Sequence, residues 1–503
     1  MTNRRHFVAA AAAAALAGVK PAAGGGALCT IQTHYTAGNG INFNSLNAVK
    51  GNCAQLPALP VIERPLLSSL QNQPERLAKL VNAYKELASR VNDPTGLLYQ
   101  AKWHQYMCSM NVHDTWAFLI WHRAFLYFHE RILAKILGED FRLPIWDWET
   151  SPKVPTPWLQ QDVAPSLVSA CPRLPSLNFA VNDCRLQAWL FSNTFEEFVG
   201  WKGKKGNAVQ GAHNDVHSQL GGAIRNLETA AADPLFYAHH GNVDRYWWHW
   251  HRQLGKQPTD KRFWEQKFNF YDENGQSVCV CADQFREPEM RGYCYATPVH
   301  PPLSLNDLDS IPIDSFLAPG KLWDVVRAAI SWLSGQDYAL MMASVAKFLL
   351  LLPGIELKSG LEFGTAELNR LRQTLARSEL AKLLESKAVS FPVRITGTVP
   401  TIETGKYYSV GLEDAGVKNP TPIVVGGFGI FSHPGVHSGD VMATGCFGKD
   451  ALSLLLAAMG NVSVVYGLAN ASGEFNGKPT PMTNVQWDFL DVKEKLKLIP
   501  TLL

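Results

Sequence analysis

Apolar positions recur at helical spacing in the N-terminal half of the chain and at strand spacing near its C-terminus. Between Glu63 and Val91 the residues Leu77, Leu80, Val81, Tyr84 and Leu87 fall three or four apart, which predicts a helix with one face on a core. Asp114 to Leu137 and Ser218 to Leu254 carry further helical patterns, and the Pro- and Ser-rich residues 151–178 between them read as irregular. Residues 255–300 mix short extended runs with turns such as Glu273-Asn274-Gly275. Residues 303–320 are rich in Pro and Asp and read as a linker, and residues 321–390, dominated by Leu, Ala and Lys, read as helical. From Phe391 onward β-branched runs alternate with turns, at Val393–Thr396, Tyr407–Val410, Ile423–Val425 and Val462–Tyr466. Short strands at this spacing predict an antiparallel sandwich. The pattern therefore predicts a mainly α domain over 28–302, a linker and helical segment over 303–390, and a smaller, β-rich, sandwich-like domain over 391–503.

Composition narrows the partners. The 503 residues carry 46 Lys and Arg against 44 Asp and Glu, a formal charge of +2, which gives no reason to expect nucleic acid or an acidic membrane surface. The 15 Trp and 11% aromatic content argue against disorder. Nine Cys are too sparse for a disulfide scaffold, and their odd number leaves at least one thiol unpaired. The first residues combine Arg4 and Arg5, an alanine-rich apolar stretch and small residues near Ala22–Ala27, so residues 1–27 read as an export signal. Arg4-Arg5 with Phe7 two places on resembles a twin-arginine signal, whose cargo crosses to the periplasm or beyond already folded. The apolar run Tyr338–Leu352 contains Lys347, stops at Pro353 and is shorter than the roughly 20 residues that cross a bilayer, so no membrane span is expected.

Ten of the 15 His lie in two windows, residues 104–129 and 213–251, and clustering of this kind is a metal signal. His113 and His122 are nine residues apart, about 900° on a straight helix, so they cannot share one face of it. His113 is therefore expected before the helix or at its first turn, His122 on its body, and His104 on a preceding segment. His213 and His217 stand four apart on one helical face, and His239 and His240 supply adjacent candidates for a third ligand. Three plus three imidazoles without a carboxylate favour copper, zinc or iron, and two such sites facing each other suit a copper pair. His129, His249 and His251 read as packing or surface residues, and His433 and His437 lie far off in the β region.

The ordered motifs resemble those of the tyrosinase and catechol oxidase family, the type 3 copper proteins. They are His113 with Trp116, Trp121-His122-Arg123, Leu143-Pro144-Ile145-Trp146-Asp147-Trp148, His213-Asn214-Asp215-Val216-His217, and Asp233 through His239-His240 to Asn242, Asp244 and Arg245. The resemblance covers roughly residues 60–300. It implies that His104, His113 and His122 hold one copper and His213, His217 and His240 the other, with His239 outside the ligand set. It also implies a thioether from Cys108 to His113, and a structural tyrosine motif, Tyr293-Cys294-Tyr295, partnered by Arg64.

Two Cu(I) ions together supply the two electrons that reduction of the co-substrate O2 requires. The resemblance then implies ortho-hydroxylation of small monophenols and oxidation of catechols to o-quinones, leading to melanin-type products. Hydroxylation needs the phenol proton removed; in the family an Asn and a Glu hold the water that takes it, and Asn214 and Glu196 are the candidates here. The C-terminal domain resembles the shielding domain of latent polyphenol oxidases, with Phe431 as the candidate plug. The rival readings are a catechol oxidase without monophenol activity, an o-aminophenol oxidase, and a haemocyanin-like oxygen carrier.

Overall fold

A computed structural model describes residues 51–159, 173–177, 194–254, 257–295, 355–363, 391–447 and 462–489, apart from short breaks, together with Phe43. The export signal, the linker at 303–320, the run Tyr338–Leu352 and His433 lie outside the described residues.

Helix α1 spans Pro74–Ser89, α2 Leu97–Ser109 and α3 Ala117–Leu137. Proline at its start sets α1, and Leu80, Ala83, Tyr84 and Leu87 form its buried face. The pattern that opens at Glu63 thus becomes helix only from Pro74; Ile62–Glu63 is a short strand, β1, and Ser68–Asn72 a 3-10 turn. α3 is buried on nearly every face, so it is the central helix rather than a surface one. It stops at Gly138, whose φ of 68° lets its N–H reach back to the Ala134 carbonyl at 2.9 Å.

A short helix α4 spans Phe195–Val199, α5 Asn214–Leu220 and α6 Leu235–Leu254. The single helical pattern from Ser218 to Leu254 is broken because Gly221 and Gly222 both take left-handed φ, 68° and 66°. The chain then makes 3-10 turns at Ala223–Arg225 and Ala230–Ala232 and re-enters a helix after Asp233, whose carboxylate accepts from Leu235 N–H at 2.9 Å. A hairpin of β2 (Lys267–Tyr271) and β3 (Ser277–Cys281) and a strand β4 (Tyr293–Cys294), parallel to β1, complete this unit. The Cys53–Cys281 disulfide ties the N-terminal loop to the hairpin; Cys446 is also disulfide-bonded, while Cys108, Cys279 and Cys294 form no disulfide.

Strands β5 (Ile355–Lys358), β6 (Gly360–Phe363), β7 (Phe391–Glu403), β8 (Tyr407–Asp414), β9 (Ile423–Gly429), β10 (Val436–Phe447), β11 (Val462–Leu468), β12 (Thr480–Pro481) and β13 (Thr483–Phe489) build the second unit. They pair as one nine-stranded sheet in the order β13-β7-β10-β9-β8-β11-β6-β5, with β12 against β11. The edge strands β13 and β5 come back into contact, so the sheet curls around its own core of Val393, Ile395, Val410, Leu412 and Val465. Residues 355–363 fall in the segment that composition assigns to helix, and there the expectation is corrected. Ile355, Leu357, Leu361 and Phe363 alternate with Glu356, Lys358 and Glu362, a period of two, and form a hairpin on this sheet. The β unit thus begins before residue 391.

Beneath the helices lies a buried ionic network. Arg64 bonds Glu130 at 3.1 Å, donates to Tyr295 Oη at 3.0 Å and stacks 3.6 Å over the Tyr293 ring. Tyr293 and Tyr295 donate to Asp244 at 2.8 and 2.7 Å, and Asp244 also accepts from Arg123 on α3 at 2.6 Å. The tyrosine motif and its arginine thus join α3, α6 and the β1–β4 pair. No described helix is long and apolar enough to cross a membrane.

Candidate metal centre

Three segments bring the first set of rings together. His104 projects from α2, His113 from the 3-10 turn Val112–Asp114 ahead of α3, and His122 from the body of α3. This is the split that the nine-residue spacing predicts. Their ring centroids lie 5.0 to 5.5 Å apart. In the second set His213 precedes α5, His217 follows one turn on, and His239 and His240 come from the first turns of α6. His213 is 4.5 Å from His217 and 4.9 Å from His240. The sets face each other, with His122 stacked on His240 at 4.4 Å. All seven rings are buried, and within each set one nitrogen per ring lies within 4.8 Å of the others.

Hydrogen bonds orient the rings. Nδ1 of His122 donates to the Phe118 carbonyl at 2.8 Å, that of His213 to Asn214 Oδ1 at 2.9 Å, and that of His217 to the Ile224 carbonyl at 2.5 Å. Each ring's Nε2 is then its lone-pair nitrogen. Nε2 of His122 and of His213 is buried without a hydrogen-bond partner, and Nε2 of His217 lies 3.4 Å from Nε2 of His240. Converging lone pairs in a dry interior repel unless a cation lies between them, so the residues fit metal ions. With no carboxylate in either set, the donors suit copper better than a hard cation. His239 is distinguished from His240 by its contacts: its Nδ1 accepts from Trp148 Nε1 at 3.1 Å, while His240 packs between the sets.

The other candidates separate clearly. Cys108, one turn after His104, puts its Sγ 3.4 Å from His104 Nε2 and 4.0 Å from His113 Nε2, touching both rings. His129 hydrogen-bonds Tyr84 at 3.2 Å and Gln100 at 2.7 Å and stacks on Tyr237, a packing role. His249 is buried on α6, and His251 pairs with Glu287 at 2.9 Å. Glu196 does not join Asn214. It is exposed on α4, whose Thr194 cap and buried Phe195 and Phe198 turn position 196 outward, while its neighbour Glu197 pairs with Arg394 of β7 at 3.3 Å. Phe431 lies in the centre itself, stacked on His217 at 3.9 Å and 5.3 Å from His213. The interface that brings it there was not legible in the sequence. Gly429 N–H donates to Asp215 on α5 at 2.8 Å, and a side chain on Gly429 would run into the Asn214 carbonyl.

Burial holds the rings neutral. It pushes His104, His213, His217, His239 and His240 well below the ordinary histidine range, with neighbouring imidazoles adding to the effect, and pushes His122 down to about 3. Unfolding restores ordinary values near 6.5, so below that pH the unfolded chain binds more protons than the folded one and stability falls. The melting temperature of metal-free protein should therefore drop between about pH 7 and about pH 5; a flat or rising profile would refute a neutral, buried cluster.

Two overlapping segments, residues 94–170 and 155–253, match the family model for the common central domain of tyrosinase. A tyrosinase of Hahella sp. (strain CCB-MM4) is 29% identical over 44% of this chain and 60% of its own length. The latent chloroplastic polyphenol oxidase of Prunus armeniaca is 30% identical over 46% of this chain and 48% of its own. The chain thus spans less than two thirds of these relatives. The crystal structure of the Vitis vinifera (Grenache) polyphenol oxidase aligns with 28% identity and a TM-score of 0.43, covering 50% of this chain and 90% of that one. With its motifs in order and its histidines gathered into two facing sets, the chain carries the common central domain of tyrosinase within residues 94–253.

Proposed function

We propose that this protein is a copper-dependent phenol oxidase that oxidises catechols to o-quinones and hydroxylates small monophenols ortho to the hydroxyl. The observation that carries the reading is the pair of facing all-imidazole sets. In it His104, His113 and His122 hold one copper and His213, His217 and His240 the other. The copper pair supplies the electrons for two-electron reduction of O2. The chain's own residues do the rest. The carbonyls of Phe118 and Ile224 and the Asn214 side chain fix the orientation of three ligand rings, and the surrounding Phe118, Phe125 and Phe236 exclude water.

Asn214 is the chain's candidate for positioning the base that deprotonates a monophenol, and it is buried beside His213, whereas Glu196 is exposed on α4. The Phe431 ring stacks where a flat phenolic ring would lie, which supports a latent state relieved when the β unit is displaced. The Cys53–Cys281 disulfide supports the reading of the chain as an exported protein.

The test is oxygen uptake by the copper-loaded chain on 4-methylcatechol and on a monophenol. Catechol turnover with bound copper supports the reading; an oxygen-dependent absorption band without turnover identifies a carrier. Removing the Phe431 ring forfeits about 2 kcal/mol of burial, so Phe431→Ala should raise catechol turnover of the intact chain roughly thirtyfold. No gain from it, or from cleavage within residues 303–390, counts against the plug. Monophenol oxidation should start after a lag, and Asn214→Ala should lower it about tenfold more than catechol oxidation; an equal loss on both substrates removes Asn214 from the hydroxylation step.

A further inference from the structure

Beside the centre, on the side the β unit covers, lies a cation with no counter-charge among the described residues. Arg225 closes the 3-10 turn Ala223–Arg225 that follows α5, and the preceding carbonyl, of Ile224, holds His217. Arg225 is therefore one residue from the clamp on a candidate metal ligand. Its Nε is buried without a hydrogen-bond partner, and no described carboxylate pairs with it. Desolvation lowers its pKa from the ordinary arginine value, and nothing raises it in return. Oδ1 of the adjacent Asn226 and Oγ of Ser218 on α5 are likewise buried and unpartnered. An uncompensated cation beside unmatched polar atoms costs stability in this conformation.

The cover over Arg225 and the plug in the centre are one piece. A methyl-sized carbon on Gly405, in the turn between β7 and β8, would lie 3.6 Å from Arg225 Cδ and 3.2 Å from Asn226 Oδ1, so the turn rests directly on both. Gly405 N–H donates to the Ile430 carbonyl at 2.8 Å, and Ile430 N–H to the Lys406 carbonyl at 3.0 Å. The next residue is Phe431, on His217. Lifting this corner of the sheet frees the aromatic slot and the Arg225 side-chain stem together.

We infer that Arg225 is a specificity-determining residue that selects phenols and catechols bearing a carboxylate on the ring's side chain. The substrate ring takes the place of the Phe431 ring against His217, and its carboxylate takes the charge-assisted hydrogen bonds that Arg225 lacks. The inference rests on the proposed oxidase function for its consequence in turnover, but the binding selectivity stands apart from it.

The test compares 3-(3,4-dihydroxyphenyl)propanoate with its methyl ester on the full chain after cleavage within residues 303–390. Equilibrium dialysis of the metal-free protein reads affinity, and oxygen uptake of the copper-loaded protein reads kcat/KM. The unsubstituted protein should favour the acid about tenfold in both measurements. Arg225→Gln should abolish that preference and leave the ester unchanged, Arg225→Lys should restore part of it, and high salt should erode it. An acid-to-ester ratio that Arg225→Gln does not alter, or an equal loss on both compounds, overturns the inference. Acid-selective binding without oxidation of either compound would leave Arg225 in its role and overturn the oxidase reading instead.

Discussion

Seven imidazoles meet inside the helical unit with no carboxylate among them, and burial opposes a second proton on His104, His122, His213, His217, His239 and His240. The rest of the structure is arranged around that electrostatic problem. Backbone and amide oxygens take the Nδ1 protons of His122, His213 and His217, which turns lone pairs inward. Neutral rings aimed at one another in a low-dielectric interior are tolerable only as a cage for cations. The helices that carry them must accordingly be fixed to well under an ångström. The buried network of Arg64, Glu130, Asp244, Arg123, Tyr293 and Tyr295 supplies that rigidity, tying α3 to α6.

The second unit reaches the same centre by different means. Its sheet curls around a core of its own, and its contacts with the helical unit include Gly429 on α5, the Gly405 turn on Arg225 and Asn226, and Arg394 on Glu197. Of its buried apolar side chains, Phe431 alone joins the helical unit's core among the described residues. Such an interface can part without unmaking either core. That arrangement suits a shield that comes away whole, and it explains how one contact can govern access to an otherwise closed pocket.

Local signals made much of this legible. The nine-residue step from His113 to His122 demanded two backbone settings, and the 3-10 turn before α3 supplies them. The spacing of His213 and His217 predicts one helical face, and α5 starts directly after His213 and carries His217. What was not legible depended on backbone conformation or on contacts across long separations. Leu-rich residues 355–363 carry helical composition but strand alternation, and only pairing with the sheet decides between them. The break at Gly221-Gly222 needs two left-handed residues in succession, which periodicity cannot register. Glu196 matched a motif position loosely, yet the burial of Phe195 and Phe198 turns it to solvent. Arg225 carries no motif at all; its meaning comes from Gly405, 180 residues away in sequence.

Whether the two histidine sets hold a pair of copper ions is read by metal analysis of the purified, copper-loaded chain. Two copper ions per chain are expected, and one after His122→Ala or after His217→Ala, each variant sparing the other set. A single copper ion in the unsubstituted chain, or zinc retained in preference to copper, would contradict it.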